Sequence, residues 1–208
     1  MILLADNDII FKLARCDLYD GFLGAFEVTT DEVFILNTCR FVLTSDRAEK
    51  RCDEASFARL REFLDSVNDI EQAPDANEMV ALAEQPRIDA GEAVLFSICP
   101  AVPNSVLASG DKRSLCSLTE AAVSDAVCAS VCNKLTGKVV CFEQIIGRVI
   151  DHQGFDAVRD RLIVGRECDK TLAIVLGGGL DATEESVREG LASYIGDLRR
   201  TTGGLLVP

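Results

Sequence analysis

Met1-Ile2-Leu3-Leu4-Ala5-Asp6-Asn7-Asp8 is the stretch that decides how this chain folds. A short, wholly apolar run followed at once by a carboxylate reads as a buried strand that ends in Asp6. After it Ile9, Ile10, Leu13 and Ala14 fall at helical spacing, so the strand passes directly into a helix. That switch puts the Asp6 side chain at the carboxyl edge of a parallel sheet, where open α/β folds bind ligands. Ser105-Val106-Leu107-Ala108 repeats the pattern: a second buried strand, with Ser109-Gly110-Asp111 directly after it. A third acidic segment, Asp89-Ala90-Gly91-Glu92-Ala93, opens a helix running to about Ile98.

The remaining elements follow from periodicity and caps. Short helices are predicted over Ile9–Arg15 and Leu18–Phe26, the second with Asp17 as its cap. Glu27-Val28-Thr29 reads as a short strand, and Thr30-Asp31-Glu32-Val33, with Thr30 as the cap, opens an apolar helix that runs to about Val42. Ser45 to Arg51 is charged and exposed. Cys52–Val67 carries Phe57, Leu60, Phe63, Leu64 and Val67 on one face, and Asp75–Glu84 is another helix. After Asp111 come helices over Lys112–Leu118 and Glu120–Leu135, a third strand over Lys138–Phe142, and a helix over Phe142–Ile150. Strands alternating with helices predict an α/β fold, helix-rich, with a short parallel β-sheet flanked by helices. Residues 1–150 are expected to form the main domain and residues 151–208 a mostly helical C-terminal extension. Its helices are Phe155–Val164 and Glu184–Leu198. Gly177-Gly178-Gly179 between them is no phosphate loop, since no Lys-Ser/Thr follows and no strand-to-helix unit surrounds it.

The 208 residues suffice for a sizeable core, and no apolar run is long enough to span a bilayer. The first residues lack a basic segment and a cleavage site, which predicts a soluble, cytoplasmic protein with no membrane partner. Nine scattered cysteines, none spaced Cys-x-x-Cys, read as free thiols in a reducing compartment. Cys128 and Cys132 stand one turn apart but lack a third ligand nearby, so core packing is the reading rather than zinc. A single histidine, His152, argues against a Ser-His-Asp or histidine–metal enzyme. The net charge of −13 argues against a general nucleic-acid coating protein. It leaves a nuclease open, because clustered carboxylates add negative charge to an active site and a local basic rim can steer a substrate.

Asp6, Glu92 and Asp111 converging at one sheet edge would repel one another without a cation, so their convergence would mark a metal site. Mg²⁺ and Mn²⁺ prefer such oxygen ligands, and phosphodiester hydrolysis needs the activated water and charge neutralisation that they supply. Each acid also has a structural reading: Glu92 in a first helical turn favours the helix dipole, and Asp8 can cap the helix from Ile9.

The three segments, in this order and spacing, resemble a PIN-domain protein over roughly residues 1–150. That family comprises small metal-dependent nucleases. The apolar strand ending in Asp6, the Gly91-Glu92-Ala93 motif opening a helix, and the strand before Asp111-Lys112-Arg113 carry the likeness. The resemblance implies a Mg²⁺- or Mn²⁺-dependent ribonuclease with Asp6, Glu92 and Asp111 as catalytic metal ligands and Asp8 as an added or outer ligand. Lys112 and Arg113 would contact the RNA backbone; ordinary solvated residues at a helix start are the plainer reading. A protein partner is implied too, by analogy with the toxin-type PIN proteins of toxin–antitoxin pairs, or else a homodimer. The chain departs from the family at Phe34-Ile35-Leu36-Asn37, where a further acid is usual, leaving Asn37 and Glu32 as the nearest polar groups. A fourth acid is either Asp125 or Glu143.

Two other readings remain open. One is a catalytically weak or inactive PIN-like scaffold that binds a partner, consistent with the incomplete acid set. The other is a haloacid-dehalogenase-like phosphatase, with Asp6 as nucleophile, Asp8 as general acid and Thr44-Ser45 after a strand. Ile9-Ile10 and Lys112-Arg113 depart from that family's turn and late acidic motif.

Overall fold

A computed structural model describes the whole chain, residues Met1–Pro208. Strand β1 (Ile2–Ala5) stops one residue short of Asp6, and α1 (Asn7–Cys16) begins one residue beyond it. Asp17, at a φ of 54°, closes α1 in the left-handed conformation. It therefore ends one helix rather than capping the next, α2 (Tyr19–Ala25), where Leu18 holds the cap position. Glu27-Val28-Thr29 is not a strand. Glu27 sits at a φ of 53°, and Thr29 and Glu32 form a capping box around the 3-10 turn Thr30–Glu32.

The helix expected to open at Thr30 and run to about Val42 is instead that 3-10 turn, strand β2 (Val33–Ile35) and α3 (Asn37–Leu43). Val33 and Ile35 are fully buried on one side of the strand and Phe34 packs on the other. In a short run that is apolar throughout, period two and period 3.6 look alike, and β-branched residues then favour the pleated surface. Next come α4 (Asp46–Glu49), α5 (Glu54–Ser66), β3 (Asn68–Asp69), α6 (Ala76–Ala83), α7 (Ala90–Ile98) and β4 (Ser105–Ser109). The exposed polar pair of β3 carries no sequence signal. Its pairing with Phe34 and Ile35 makes it a strand, and Arg40 bonds the Val67 carbonyl (2.8 Å) and Asp69 (3.0 Å) on either side of Asn68. The chain continues through α8 (Lys112–Ala121), α9 (Ala126–Leu135), β5 (Val139–Cys141), α10 (Phe142–Gln153) and α11 (Phe155–Gly165). It ends with α12 (Lys170–Val175) and α13 (Glu184–Thr202), so the last 58 positions hold three helices where two were expected.

All five strands are parallel, in the order β3-β2-β1-β4-β5, with helices on both faces. The chain winds outward from β1 in one direction and then from β4 in the other, so the topological switch point lies between them. Leu3 faces Val33 on one side and Val106 on the other. The pleat sorts the core. Leu3, Ala5, Val33, Ile35, Ala108 and Val140 face α1, α2, α5, α10 and α11, while Leu4, Leu107, Val139 and Cys141 face α6 to α9.

Helix α13 serves both layers. Val187 and Leu191 join the first core and Leu198 the second, which carries the helix across the β5 edge. Gly203 and Gly204, at φ 57° and 101°, then reverse the chain. Leu206 bridges Val139 in parallel, the Val139 N–H donates to Leu205 (3.0 Å), and the Val207 N–H donates to Val139 (2.7 Å). The tail thereby covers an edge that would otherwise invite pairing with another chain. No helix is long and apolar enough to cross a membrane.

Leu205 is fully buried, so Leu205→Ala is expected to cost about 2–4 kcal/mol in urea-denaturation stability. A loss below about 1 kcal/mol would show that the tail is not docked on β5 in solution.

Candidate functional site

Asp6 is held from three sides. Its backbone N–H donates to the Ala108 carbonyl (3.1 Å), which continues the β1–β4 ladder. Its carboxylate accepts the Ile9 N–H on Oδ1 (2.7 Å), capping α1, and the Gly110 N–H on Oδ2 (2.8 Å), tying it to the end of β4. The residue is 8% exposed. Burial, then the charge of Asp8, push the Asp6 carboxyl up to about 6, against the lowering by the two N–H groups.

The other acids are placed by helix caps. Asp89 caps α7 in a reciprocal box: its Oδ1 accepts the Glu92 N–H (2.8 Å), and Glu92 Oε2 accepts the Asp89 N–H (2.8 Å). Burial pushes the half-buried Glu92 up to about 7, with the Asp89 and Asp111 charges adding to it. Asp111 caps α8 through the N–H groups of Arg113 (2.8 Å) and Ser114 (3.3 Å), and its Oδ2 lies 3.4 Å from the Arg113 guanidinium. Asp8 pairs with Lys12 at 2.5 Å. Gly110 permits that arrangement, because a Cβ there would fall 2.0 Å from Asp8 Oδ2.

Asp6, Asp8, Asp89, Glu92 and Asp111 all line one cleft of about 140 Å³ outside the carboxyl ends of β1 and β4. A second hollow of about 370 Å³ shares Asp89, Glu92 and Asp111 and adds Arg87 and Arg113. Arg113 is largely exposed, and Arg87 is half-exposed and paired with Glu120 at 2.8 Å. Arg87 was not anticipated; one basic residue two positions before a helix cap has no signal in the sequence. Lys112 lines neither hollow. Its amine bonds Glu143 and the Thr171 hydroxyl (2.9 Å) and sits 5.5 Å from the centre of the Tyr194 ring. Neither suggested fourth acid reaches the cleft. Asp125 is the cap of α9, accepting the Cys128 N–H at 2.8 Å. Glu143 is 1% exposed, takes Lys112 as its partner and leaves Oε2 without a hydrogen bond. Glu32 binds the Met1 amine (2.9 Å), Asn37 opens α3, and His152 lies in the last turn of α10.

The cleft is joined to the C-terminal helices by a relay. Lys12 bridges Asp8 and Asp169 (2.7 Å), and Asp169 caps α12 through the Leu172 N–H (3.0 Å). Burial opposes the Lys12 charge, but the two carboxylates outweigh it and hold its pKa above the ordinary range.

No three His, Cys, Asp or Glu side chains anywhere in the chain are grouped as a ready-made metal cage. The donor set nonetheless suits a hard cation in its chemistry. It is all carboxylate, and Asp6 and Glu92 are raised by burial and, to a lesser degree, by neighbouring acids. Lys12 is shared between Asp8 and Asp169, and Arg113 lies against Asp111.

A carboxyl raised in the folded state holds its proton where the unfolded chain has lost it. Stability is therefore retained below about pH 4 and falls as pH rises toward about 7. Glu92→Gln keeps an acceptor for the Asp89 N–H and removes the charge. It is expected to stabilise the metal-free protein by about 1 kcal/mol at pH 8 and to have no effect at pH 4, in urea titrations at both values. Destabilisation at pH 8 would contradict the raised pKa.

Compared with known proteins, the chain matches no protein family, no curated protein and no solved structure.

Proposed function

We propose that this protein is a divalent-metal-dependent phosphodiesterase acting on RNA, a PIN-like endoribonuclease. One observation carries the reading: carboxylates from three separate segments line one cleft at the switch point of a parallel sheet, and two of them, Asp6 and Glu92, are raised by burial and then by neighbouring acids. Helix caps account for the positions of Asp6, Asp89 and Asp111, but capping favours an ionised acid, so it gives no reason to bury Asp6 beside Asp8.

In this reading Asp6, Glu92 and Asp111 hold Mg²⁺ or Mn²⁺, with Asp8 as a further or outer group. The cation supplies charge neutralisation and an activated water at neutral pH. The chain's residues supply the rest. The N–H groups of Ile9 and Gly110 fix the Asp6 oxygens, the Asp89 box fixes Glu92, and Lys12 anchors Asp8 at the wall of the cleft. Arg113 and Arg87, on the open side, are the groups that receive a phosphate of the chain being cut. They provide a local cationic rim on a protein whose net charge is −13. The phosphatase reading is less well supported, because Thr44 and Ser45, which it needs after a strand, follow helix α3 instead.

A partner-binding scaffold has one observation in its favour. An open groove of about 700 Å³, lined by Ile2, Leu4, Phe34, Ile70, Ile98 and Val102 among others, runs beside β1 to β3. Arg40 also lines it, and the next residue on that helix, Phe41, is 79% exposed.

Mn²⁺ calorimetry with wild type and the Asp6→Asn/Asp111→Asn variant separates these readings. Wild type is expected to bind and to release protons as it does so, and the variant to lose binding at least about tenfold. Absence of binding at millimolar Mn²⁺ would end the nuclease proposal and leave the scaffold. Given binding, cleavage of a single-stranded RNA should require the metal. Arg113→Ala should then raise KM roughly tenfold with kcat little changed; a fall in kcat alone would move Arg113 from substrate binding to the chemistry.

A further inference from the structure

Among the nine free cysteines, only Cys16 and Cys168 hydrogen-bond to each other, with their sulfurs 3.9 Å apart and their positions 152 residues apart in sequence. Cys16 ends α1 and is fully buried; Cys168 closes the 3-10 turn Arg166–Cys168 between α11 and α12 and is partly exposed. The backbones come unusually close here. A Cβ on Gly165 would lie 2.4 Å from Cys16 Sγ and 2.7 Å from the Arg15 carbonyl oxygen, so only glycine lets the end of α11 rest against the end of α1. Disulfides need such proximity, with Cβ atoms about 3.8 Å apart and sulfurs about 2.05 Å apart, so the two thiols must close by roughly 2 Å. Cys128 and Cys132, the pair that the sequence singles out, make no sulfur–sulfur contact; Cys128 Sγ is 3.9 Å from the Ala81 carbonyl.

We propose that Cys16 and Cys168 are a thiol pair that closes into a reversible disulfide, pinning the C-terminal helices to α1. The oxidant is a low-molecular-weight disulfide. The accessible Cys168 thiolate attacks one of its sulfurs, forming a mixed disulfide and expelling one thiolate. Cys16 then attacks Cys168 Sγ, breaking the mixed disulfide, and its proton passes to the second departing thiolate. Two protein thiols are oxidised and one small disulfide is reduced to two thiols. The hydrogen bond with Cys168, and then burial, hold the Cys16 thiol well above the ordinary range, which fits the order of attack. The position also matters to the cleft. Cys168 directly precedes Asp169, which holds Lys12 and through it Asp8, so the cross-link fixes that relay to the helix that starts at the cleft.

The full-length protein should be equilibrated with graded ratios of reduced and oxidised glutathione. The expected result is loss of two of the nine thiols together, a mass lower by about two daltons, and a cross-linked peptide pair containing Cys16 and Cys168. Closing so long a loop should raise Tm by roughly 5–15 °C, reversed by dithiothreitol. Cys168→Ser should abolish both effects. Cys16→Ala, if it folds, should trap Cys168 as a single glutathione adduct. A stable adduct on Cys168 of the wild type, a cross-link that appears only when the other thiols react, or a lowered Tm would each overturn the proposal.

Discussion

The double hydrogen bond of the Asp6 carboxylate is the constraint on which the rest of the site depends. One oxygen starts α1 and the other grips Gly110 beyond β4, so a single buried side chain fixes where two central strands end relative to each other. Two further acids of the cleft are then positioned by elements anchored to those ends. Asp8 follows on α1, and Asp111 follows Gly110 as the cap of α8. Glu92 reaches the same space from α7, whose buried side chains Ala93, Leu95 and Phe96 pack in the core layer that holds Leu4 and Leu107. The arrangement costs stability at neutral pH, since burial beside Asp8 disfavours the ionised form of Asp6. Strain of that kind is common where a protein keeps a charged site ready for a ligand.

The second organising feature is ionic. Asp8, Lys12 and Asp169 form one chain of contacts from the cleft to α12, and Glu143, Lys112 and Thr171 form another from α10 through the start of α8 to the same helix. Helix α13 adds Tyr194 over Lys112. Buried ion pairs of this sort contribute little net stability, but removing one partner leaves a charge without compensation. They tie α12 and α13 to α1 and α8, and residues beyond 150 share the core and the electrostatics of those before it.

How much of this was legible in the sequence depends on the range of the interaction involved. Asp6, Asp89 with Glu92, and Asp111 were readable because a local pattern places each one: an apolar strand before it or a helix start around it. The parallel α/β architecture followed from the same alternation. Strand β2 was not readable, since Val33-Phe34-Ile35 has no period of its own and becomes a strand only beside Leu3 and Leu4. The two residues of β3 are exposed and polar, and only pairing defines them. For Lys112 the family resemblance implies a phosphate contact, but its partner Glu143 lies 31 residues away. Arg87 enters the site because α7 happens to present the preceding loop to the open side of the cleft.

The β1–β4 pairing has a consequence for how the chain is made. Synthesis runs from the amino end, and β1 occupies the middle of the sheet, yet its partner on one side, Ser105–Ser109, is translated about a hundred residues later. Until then Ile2-Leu3-Leu4-Ala5 can recruit only β2, and its other edge stays open, apolar and unpaired. Such a strand is a sticky surface on a nascent chain, and its closure is a slow, long-range event. The yield of folded protein should therefore respond more to chaperone supply and growth temperature than to the stability of the finished molecule.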